Sequence, residues 1–388
     1  MLRFLTAGES HGMALTGIIE GLPAGLKLDV KAINEFLQRR QRCYGRGVRM
    51  KKIENDSVTI IGGVRRGVTI GSPLALQIEN RDWANCKDKK SSVKNVPRPG
   101  HADLAGVMKY GFNDIQNVIE RSSARETAMR TAIGAVARIF LAEFGVDIIG
   151  HTVSIGDVKF SGNSQSPSEI KELSMRSMVY CADPQKSRQM CEEIDAARER
   201  GETLGGTFEV IAVNVPPGLG SYVHWDRKID GRLSQAILSI PSVKAIEIGE
   251  GFSNASRKGS QAHDHITSSG RGIRRTSNRA GGIEGGVTNG ELLTVRGYAK
   301  PISSLKNPLP SVNIKTGQAT NAPYVRSDVC VVPAICVIAE AMLAWVLAEA
   351  FVEKFGGDSI HETKTNYRNF TRQLESERGN LTPPGAYL

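Results

Sequence analysis

The run from Val329 to Phe351 sets the first constraint on this chain. It is apolar almost all round, so a helix built from it has no face for water and is either buried on every side or set in a membrane. Pro333, Glu340 and Glu349 interrupt it, and its flanks carry no pattern that supports insertion. A buried helix is the better reading, predicted over Pro333 to Phe355 and closed by Gly356-Gly357. A chain of 388 residues can supply a core large enough to enclose it.

Other elements follow from periodicity. Short strands are predicted at Leu2–Leu5, Thr16–Ile19, Ser57–Ile61 and Ala75–Glu79. A helix is predicted from Asp29 to about Arg42, with Asp29 as its cap and Val30, Ile33 and Leu37 on one face. The strongest helix signal runs from Arg125 to Phe144, where Met129, Ala132, Ile133, Val136, Phe140 and Leu141 recur at helical spacing before Gly145. Strands are expected in Val146–Val158, Thr207–Val215 and Glu291–Tyr298, and helices from Asp183-Pro184 to Gly201 and from Arg227 to Ile240. Asn85 to His101 reads as a solvated, mobile loop, and Lys258 to Gly290 has little periodicity. Strands and helices are mixed without strict β-α-β alternation. The expectation is one α/β-type (α+β) domain over residues 1–388, with mostly antiparallel sheets packed on helices. The polar stretch 361–388 is expected to fray as a flexible tail.

Lys and Arg exceed Asp and Glu, giving a net charge of +10. That excess points to an anionic partner: a phosphorylated small molecule, nucleic acid or an acidic membrane surface. The cysteines form no C-x-x-C and no zinc-ribbon spacing, and read as the reduced thiols of a cytoplasmic protein. No signal peptide fits the N-terminus.

Gly8-Glu9-Ser10-His11-Gly12 matches the G-x-S-x-G pattern of a nucleophile elbow. An elbow needs earlier strands to supply oxyanion donors, and only one strand precedes it here. Two readings remain: a turn capped by Ser10, or a tight loop presenting His11 as a general acid or anion ligand. His101 has a similar setting in Arg98-Pro99-Gly100-His101-Ala102-Asp103, and the pair suits proton transfer. Arginines recur in separate Gly-containing loops: Arg39, Arg40, Arg42, Arg46 and Arg49, then Arg121 and Arg125 beside Ser122 and Ser123, then Arg326. The amides of the helix start near Ser122 and Ser123, with the fork of Arg125, suit a phosphate. Without interleaved aromatics, nucleic acid is the weaker alternative. There is no Walker A or G-x-G-x-x-G pattern. His263 and His265 lack a third ligand nearby, so no metal site is expected.

In order, these segments resemble the chorismate synthase family: GESHG at 8–12, RRQxxYGRGxR at 39–49, RPGHAD at 98–103, RSSARET at 121–127, AGGIxGGxxNG at 280–290, KPxSS at 300–304 and RSD at 326–328. The resemblance implies a β-α-β sandwich, usually a homotetramer in the cytoplasm. It implies a lyase of the shikimate pathway that eliminates phosphate from 5-enolpyruvylshikimate 3-phosphate in an anti-1,4 sense to give chorismate. Reduced FMN is required without net redox change. It also implies a small-molecule phosphorylated substrate, with no nucleic acid and no membrane.

By the same resemblance His11 protonates the leaving phosphate, His101 protonates or stabilises the reduced flavin and Asp328 helps deprotonate flavin N5. Arg40, Arg46, Arg49 and Arg125 receive the substrate's negative charge. Arg121, Ser122, Ser123, Pro241, Ser242, Gly285, Lys300, Pro301, Ile302, Ser303, Ser304 and Arg326 match positions around FMN. Two stretches depart from the family pattern: Pro241-Ser242 stands where Asn-Ala is common, and Ile302 stands where Thr is common. Some members reduce their own flavin with NADPH. No added reductase segment is evident from length here, so an external source of reduced FMN is expected.

Overall fold

The computed structural model describes residues 1–47, 55–83, 93–162, 165–269, 272–325 and 328–376. In chain order its main elements are β1 (Arg3–Ala7), β2 (Ala14–Glu20), α1 (Val30–Gln41), β3 (Val58–Gly62) and β4 (Leu74–Glu79). Then come α2 (Asp103–Tyr110), α3 (Gln116–Ser122), α4 (Thr127–Ala142), β5 (Asp147–Ile155) and β6 (Val158–Lys159). α5 (Pro167–Arg176), α6 (Pro184–Arg200), β7 (Gly206–Val213), α7 (Ile229–Leu238) and β8 (Val243–Ile248) follow. β9 (Leu293–Ala299), α8 (Val332–Phe355) and α9 (Ile360–Ser376) complete the series.

Two antiparallel sheets enclose a helical layer. One has strand order β1-β2-β4-β3; the other has order β8-β9-β7-β5-β6. α4 packs on the first sheet, where Gly17 of β2 leaves room for Met129, whose sulfur lies 2.6 Å from where a Cβ would stand. α8 packs on the second, where Gly150 of β5 makes the same allowance for Cys336 and Glu340 at 2.7 Å. The two helices touch directly, because a Cβ on Gly134 would overlap Ala341. The edge-to-face contact of Phe4 with Trp345, at 4.7 Å between ring centres, ties α8 to the first sheet as well. The most apolar window of α8 is 89% buried, so this helix is the core of the sandwich.

Local chemistry sets the element ends. Asp29 caps α1 by accepting from Lys31 N at 2.9 Å. Asp183 caps α6, and Gly201 ends it in the left-handed conformation. α5 starts on a Ser166/Glu169 capping box that the sequence reading passed over. The helix expected from Arg125 begins at Thr127, preceded by a 3-10 turn over Ala124–Glu126. The aperiodic stretch 258–290 is held by short hairpins (Ile266–Ser269 with Gly272–Arg275, and Ile283–Glu284 with Val287–Thr288). There Asp264 accepts from Ser277 Oγ, Arg279 N and Ala280 N.

The expectation of a frayed tail from 361 is corrected as far as residue 376. α9 docks Tyr367 against Phe351 and Phe355, buries Thr363, and donates from Asn366 Nδ2 to Phe355 O at 2.8 Å. Residues 377–388 of that tail lie outside the described residues, as do residues 85–92 of the 85–101 loop.

At the centre, Glu340 of α8 is fully buried and accepts from two arginines. Arg39 of α1 grips it with both terminal nitrogens at 3.0 and 2.6 Å, and Arg138 of α4 donates at 2.8 Å. Removing this buried carboxylate leaves Arg39 without a counter-charge and Arg138 with only its longer contact to Asp147, at 3.5 Å. Glu340→Ala is therefore expected to destabilise the chain by about 3–5 kcal/mol, read as a lower denaturant midpoint at unchanged slope. A midpoint equal to the parent's would show that the triad adds nothing.

Candidate active site

The 8–13 segment is a hairpin loop joining β1 to antiparallel β2, not a strand-to-helix elbow. This removes the setting a serine nucleophile of that type needs. Asn80, just after β4, pins the loop by donating to Glu9 O at 3.0 Å and Gly12 O at 2.8 Å. Glu120 of α3 grips it from the other side. Its backbone carbonyl accepts from Ser10 N, and its carboxylate accepts from His11 N, both at 2.8 Å. His11 Nδ1 lies 3.0 Å from Glu120 Oε1 and 3.0 Å from Ser10 Oγ. Donation from Nδ1 to Glu120 fixes the tautomer and makes Nε2 the nitrogen whose protonation changes. Burial raises the Glu120 pKa, but hydrogen bonds from His11 and Gln116 outweigh it and hold the carboxyl down at about 2.

Behind this loop stands a buried wall of charge. Asp56 lies between two arginines: Arg125 Nη1 donates to Oδ1 at 2.6 Å, and Arg40 Nη1 stands 3.6 Å from Oδ2. Arg125 Nε also donates to Asn80 Oδ1 at 2.8 Å, so the wall is joined to the His11 loop through one amide. Arg40 reaches Thr127 Oγ1 and Ala124 O at the head of α4. Among the described residues, two guanidiniums face one carboxylate here. The fork of Arg125 is already engaged by protein groups, so it meets a phosphate only by exchanging one of them.

His101 belongs to a second cluster. Its Nδ1 lies 2.5 Å from Asp103 Oδ1, and Arg98 clamps both oxygens of the same carboxylate at 2.8 and 3.1 Å. Burial raises the Asp103 pKa; the bonds from His101 and Arg98 win and push it below the usual carboxylate range. The 300–304 loop docks on this cluster. Lys300 Nζ donates to Gly100 O at 2.9 Å, and Arg98 Nη1 lies 3.4 Å from Ser304 Oγ. Ser242 follows Pro241 with a φ of 75°, a strained backbone for a non-glycine, and its carbonyl accepts from Lys300 N at 2.9 Å. Burial and the neighbouring Lys244 lower the Lys300 pKa. Pro301 is exposed, Ile302 and Ser303 are half-buried, and Ile302 O accepts from Thr203 Oγ1 at 2.8 Å.

Asp328 forms the third part. Arg46 Nη1 donates to its Oδ2 at 2.5 Å and Gly47 N to its Oδ1 at 2.6 Å. Leu204, next to Thr203, donates to Val329 O, so residues 203–204 hold the second and third parts together. The first and second parts meet through α2 and α3, which pack on Val107, Ile115 and Val118. Arg121 donates to Thr6 and Gly8 carbonyls, and Ser123 Oγ accepts from Arg125 N. Gly285 sits apart: Gly286 O accepts from Ile229 N at the start of α7, while Pro241-Ser242 lie beyond its end. The ten residues of α7 make that separation about 15 Å. Arg49 and Arg326 lie outside the described residues, as does most of the Lys87–Lys94 loop.

Sequence reasoning missed Glu120, Asp56, Asn80 and Gln116 as partners of the named residues. Glu120 stands directly before the R-S-S motif, but nothing in its spacing points 109 residues back to His11.

The fold and site define an α+β enzyme whose two imidazoles are each held by a carboxylate among buried guanidiniums. Comparison with known proteins gives the family. A family model described as chorismate synthase matches residues 2–352. A chorismate synthase of Desulforudis audaxviator is 52% identical over 388 residues, covering 97% of this chain and 99% of the relative. That of Moorella thermoacetica is 51% identical, covering 96% and 100%. A solved structure titled "Crystal Structure of Chorismate Synthase" superposes with a TM-score of 0.80 at 43% identity, over 97% of this chain and 98% of that one. The chain belongs to the chorismate synthase family.

The depressed Glu120 pKa ties stability to pH with a definite sign. Its contribution is complete above the ordinary carboxyl value of 4.5 and is lost as pH falls toward about 2. Asp103 adds a slope of the same sign. Glu120→Gln should therefore flatten the fall in denaturant midpoint over that window relative to the parent. Parallel curves for the two proteins would show that the His11–Glu120 contact is not made.

Proposed function

We propose that this chain eliminates phosphate from 5-enolpyruvylshikimate 3-phosphate to give chorismate, with reduced FMN bound beside the substrate. The observation that carries this reading is His11, fixed by Glu120 in front of the Arg40–Asp56–Arg125 wall. A phosphate leaving a carbon gains negative charge as the C–O bond breaks. Guanidinium charge held in place before the reaction stabilises it without reorganisation. His11 Nε2 is the proton donor to the departing oxygen, and Glu120 keeps the ring aimed. Arg46, carried past the end of α1, adds charge on the side of Asp328.

The residues present fit the flavin. Ser122 Oγ is buried with no hydrogen-bond partner among the described residues, an orphan beside Arg121 and Ser123 that a phosphate or ring acceptor satisfies. Lys300 and Lys244 form a like-charged pair that an anion relieves. Ser122, Ser123, Ser242 and the 300–304 loop are the residues that would hold FMN, with Gly285 and Arg326 as further contacts. When bound, the reduced flavin supplies transient electron density at the ring carbon that loses phosphate and accepts the hydrogen removed from the ring. His101, oriented by Asp103 and Arg98, balances charge near the flavin. Asp328, held by Arg46 and Gly47 N, is placed to take a proton. The reading includes a cytoplasmic homotetramer, one domain over residues 1–388, and an external source of reduced flavin such as an NADPH-dependent reductase.

Anaerobic turnover of 5-enolpyruvylshikimate 3-phosphate, with and without dithionite-reduced FMN, tests the reading; chorismate formed only in the reduced sample supports it. His11→Ala should lower kcat by about a hundredfold or more while flavin affinity stays unchanged. Near-parent turnover in that variant would remove His11 from proton transfer. Lys300→Ala should instead weaken flavin binding, followed by fluorescence quenching. Unchanged flavin affinity would detach the 300–304 loop from the cofactor.

A further inference from the structure

A cavity of about 730 Å³ opens beside α1 and α4, lined by residues of those helices, the end of α5 and the 175–180 segment, none of which the proposed reaction uses. Its volume lies within the range of small-molecule sites, about 300–1,000 Å³. Four arginines line it (Arg39, Arg42, Arg138 and Arg176), against Glu35 as the one carboxylate of the lining. Glu340, behind the wall, is shared by Arg39 and Arg138, and Arg138 also lies 3.5 Å from Asp147, so the positive charge open to the cavity is carried by Arg42 at its edge. Arg39 Nε is buried with no acceptor among the described residues. Arg42, at the cavity mouth, is exposed and has no ion pair among the described residues.

The same walls are aromatic. Arg39 lies 5.2 Å from the Phe36 ring centre and 5.5 Å from that of Tyr180, and Arg138 lies 4.9 Å from Phe36. Rings and guanidiniums alternate, the arrangement that receives a planar anion by stacking and by charge. Met175 and Met178 add polarisable sulfur at the rim, and both are exposed. Tyr180 has a φ of 56°, strained for a bulky residue, and its hydroxyl donates to Arg39 O at 2.8 Å.

We propose that this cavity is a binding site for a small aromatic carboxylate, separate from the active site. The carboxylate pairs with Arg42 and the unsatisfied Nε of Arg39, and the ring lies against Met175 and Met178.

Benzoate titrated into the full-length protein labelled with ¹³C at the methionine methyls tests this. The Met175 and Met178 resonances are expected to shift in a saturable way, while Met13, two residues from His11, stays fixed. Benzamide, of the same shape without the charge, should bind about tenfold more weakly or worse, the loss of one charge-assisted contact. Arg42→Glu should abolish the shifts, and Arg42→Gln should weaken them if the reversed charge upsets folding. No shift at Met175 and Met178, a response confined to Met13, equal binding of benzamide, or full binding by both Arg42 variants would each overturn the proposal.

Discussion

The structure depends on burying α8 on every side. A helix with no polar face cannot lie on a single sheet, because the opposite side would meet water. Two sheets and α4 enclose it, and glycines at 17, 134 and 150 let the layers close to contact distance. Glu340 is the one charge inside that helix that is fully buried. It stays because Arg39 and Arg138 reach it from α1 and α4, which sets the rotation of all three helices about their axes. A one-residue slip of any of them would strand a buried charge.

That registration is what makes the site. With α1 fixed through Arg39, the next residue points to the other side, where Arg40 meets Asp56 and the head of α4. Arg125 meets the same carboxylate and, through Asn80, the loop that carries His11. The two loop imidazoles and Arg46 are each held by a carboxylate: His11 by Glu120 and Arg46 by Asp328, both distant in the chain, and His101 by Asp103, two residues on. Such pairs fix geometry before a ligand arrives, and the low dielectric around them strengthens each contact.

Legibility in the sequence followed the range of the interaction. The buried helix, the Asp29 and Asp183 caps and the Gly201 stop were readable because each rests on neighbours within one or two turns. The Ser166/Glu169 capping box was equally local and was simply overlooked. The 361–376 segment was misread because its composition is polar; it folds because Tyr367 packs on Phe351 and Phe355 of α8, Thr363 is buried and Asn366 bonds to Phe355 O. The start of α4 was misplaced by two residues, since Arg125 gives up the regular helix to reach Asp56. Among site residues, the histidines and arginines were legible from residue type and glycine spacing, and Asp328 from its motif, whereas the distant carboxylates Glu120 and Asp56 were not.

By itself the sequence determined that a long apolar helix must be enclosed, that the chain is rich in phosphate-fitting arginines, and that ordered motifs place it among the chorismate synthases. Those are properties of residue type and short spacing, written along the chain. Only the tertiary structure decided which carboxylate faces which cation, that Ser10 lies in a hairpin loop, and that a second basic cavity stands beside α1. The reason is that a charge pair across 109 or 301 residues leaves no periodic trace; it exists only once packing of the core has brought the two groups within a few ångströms.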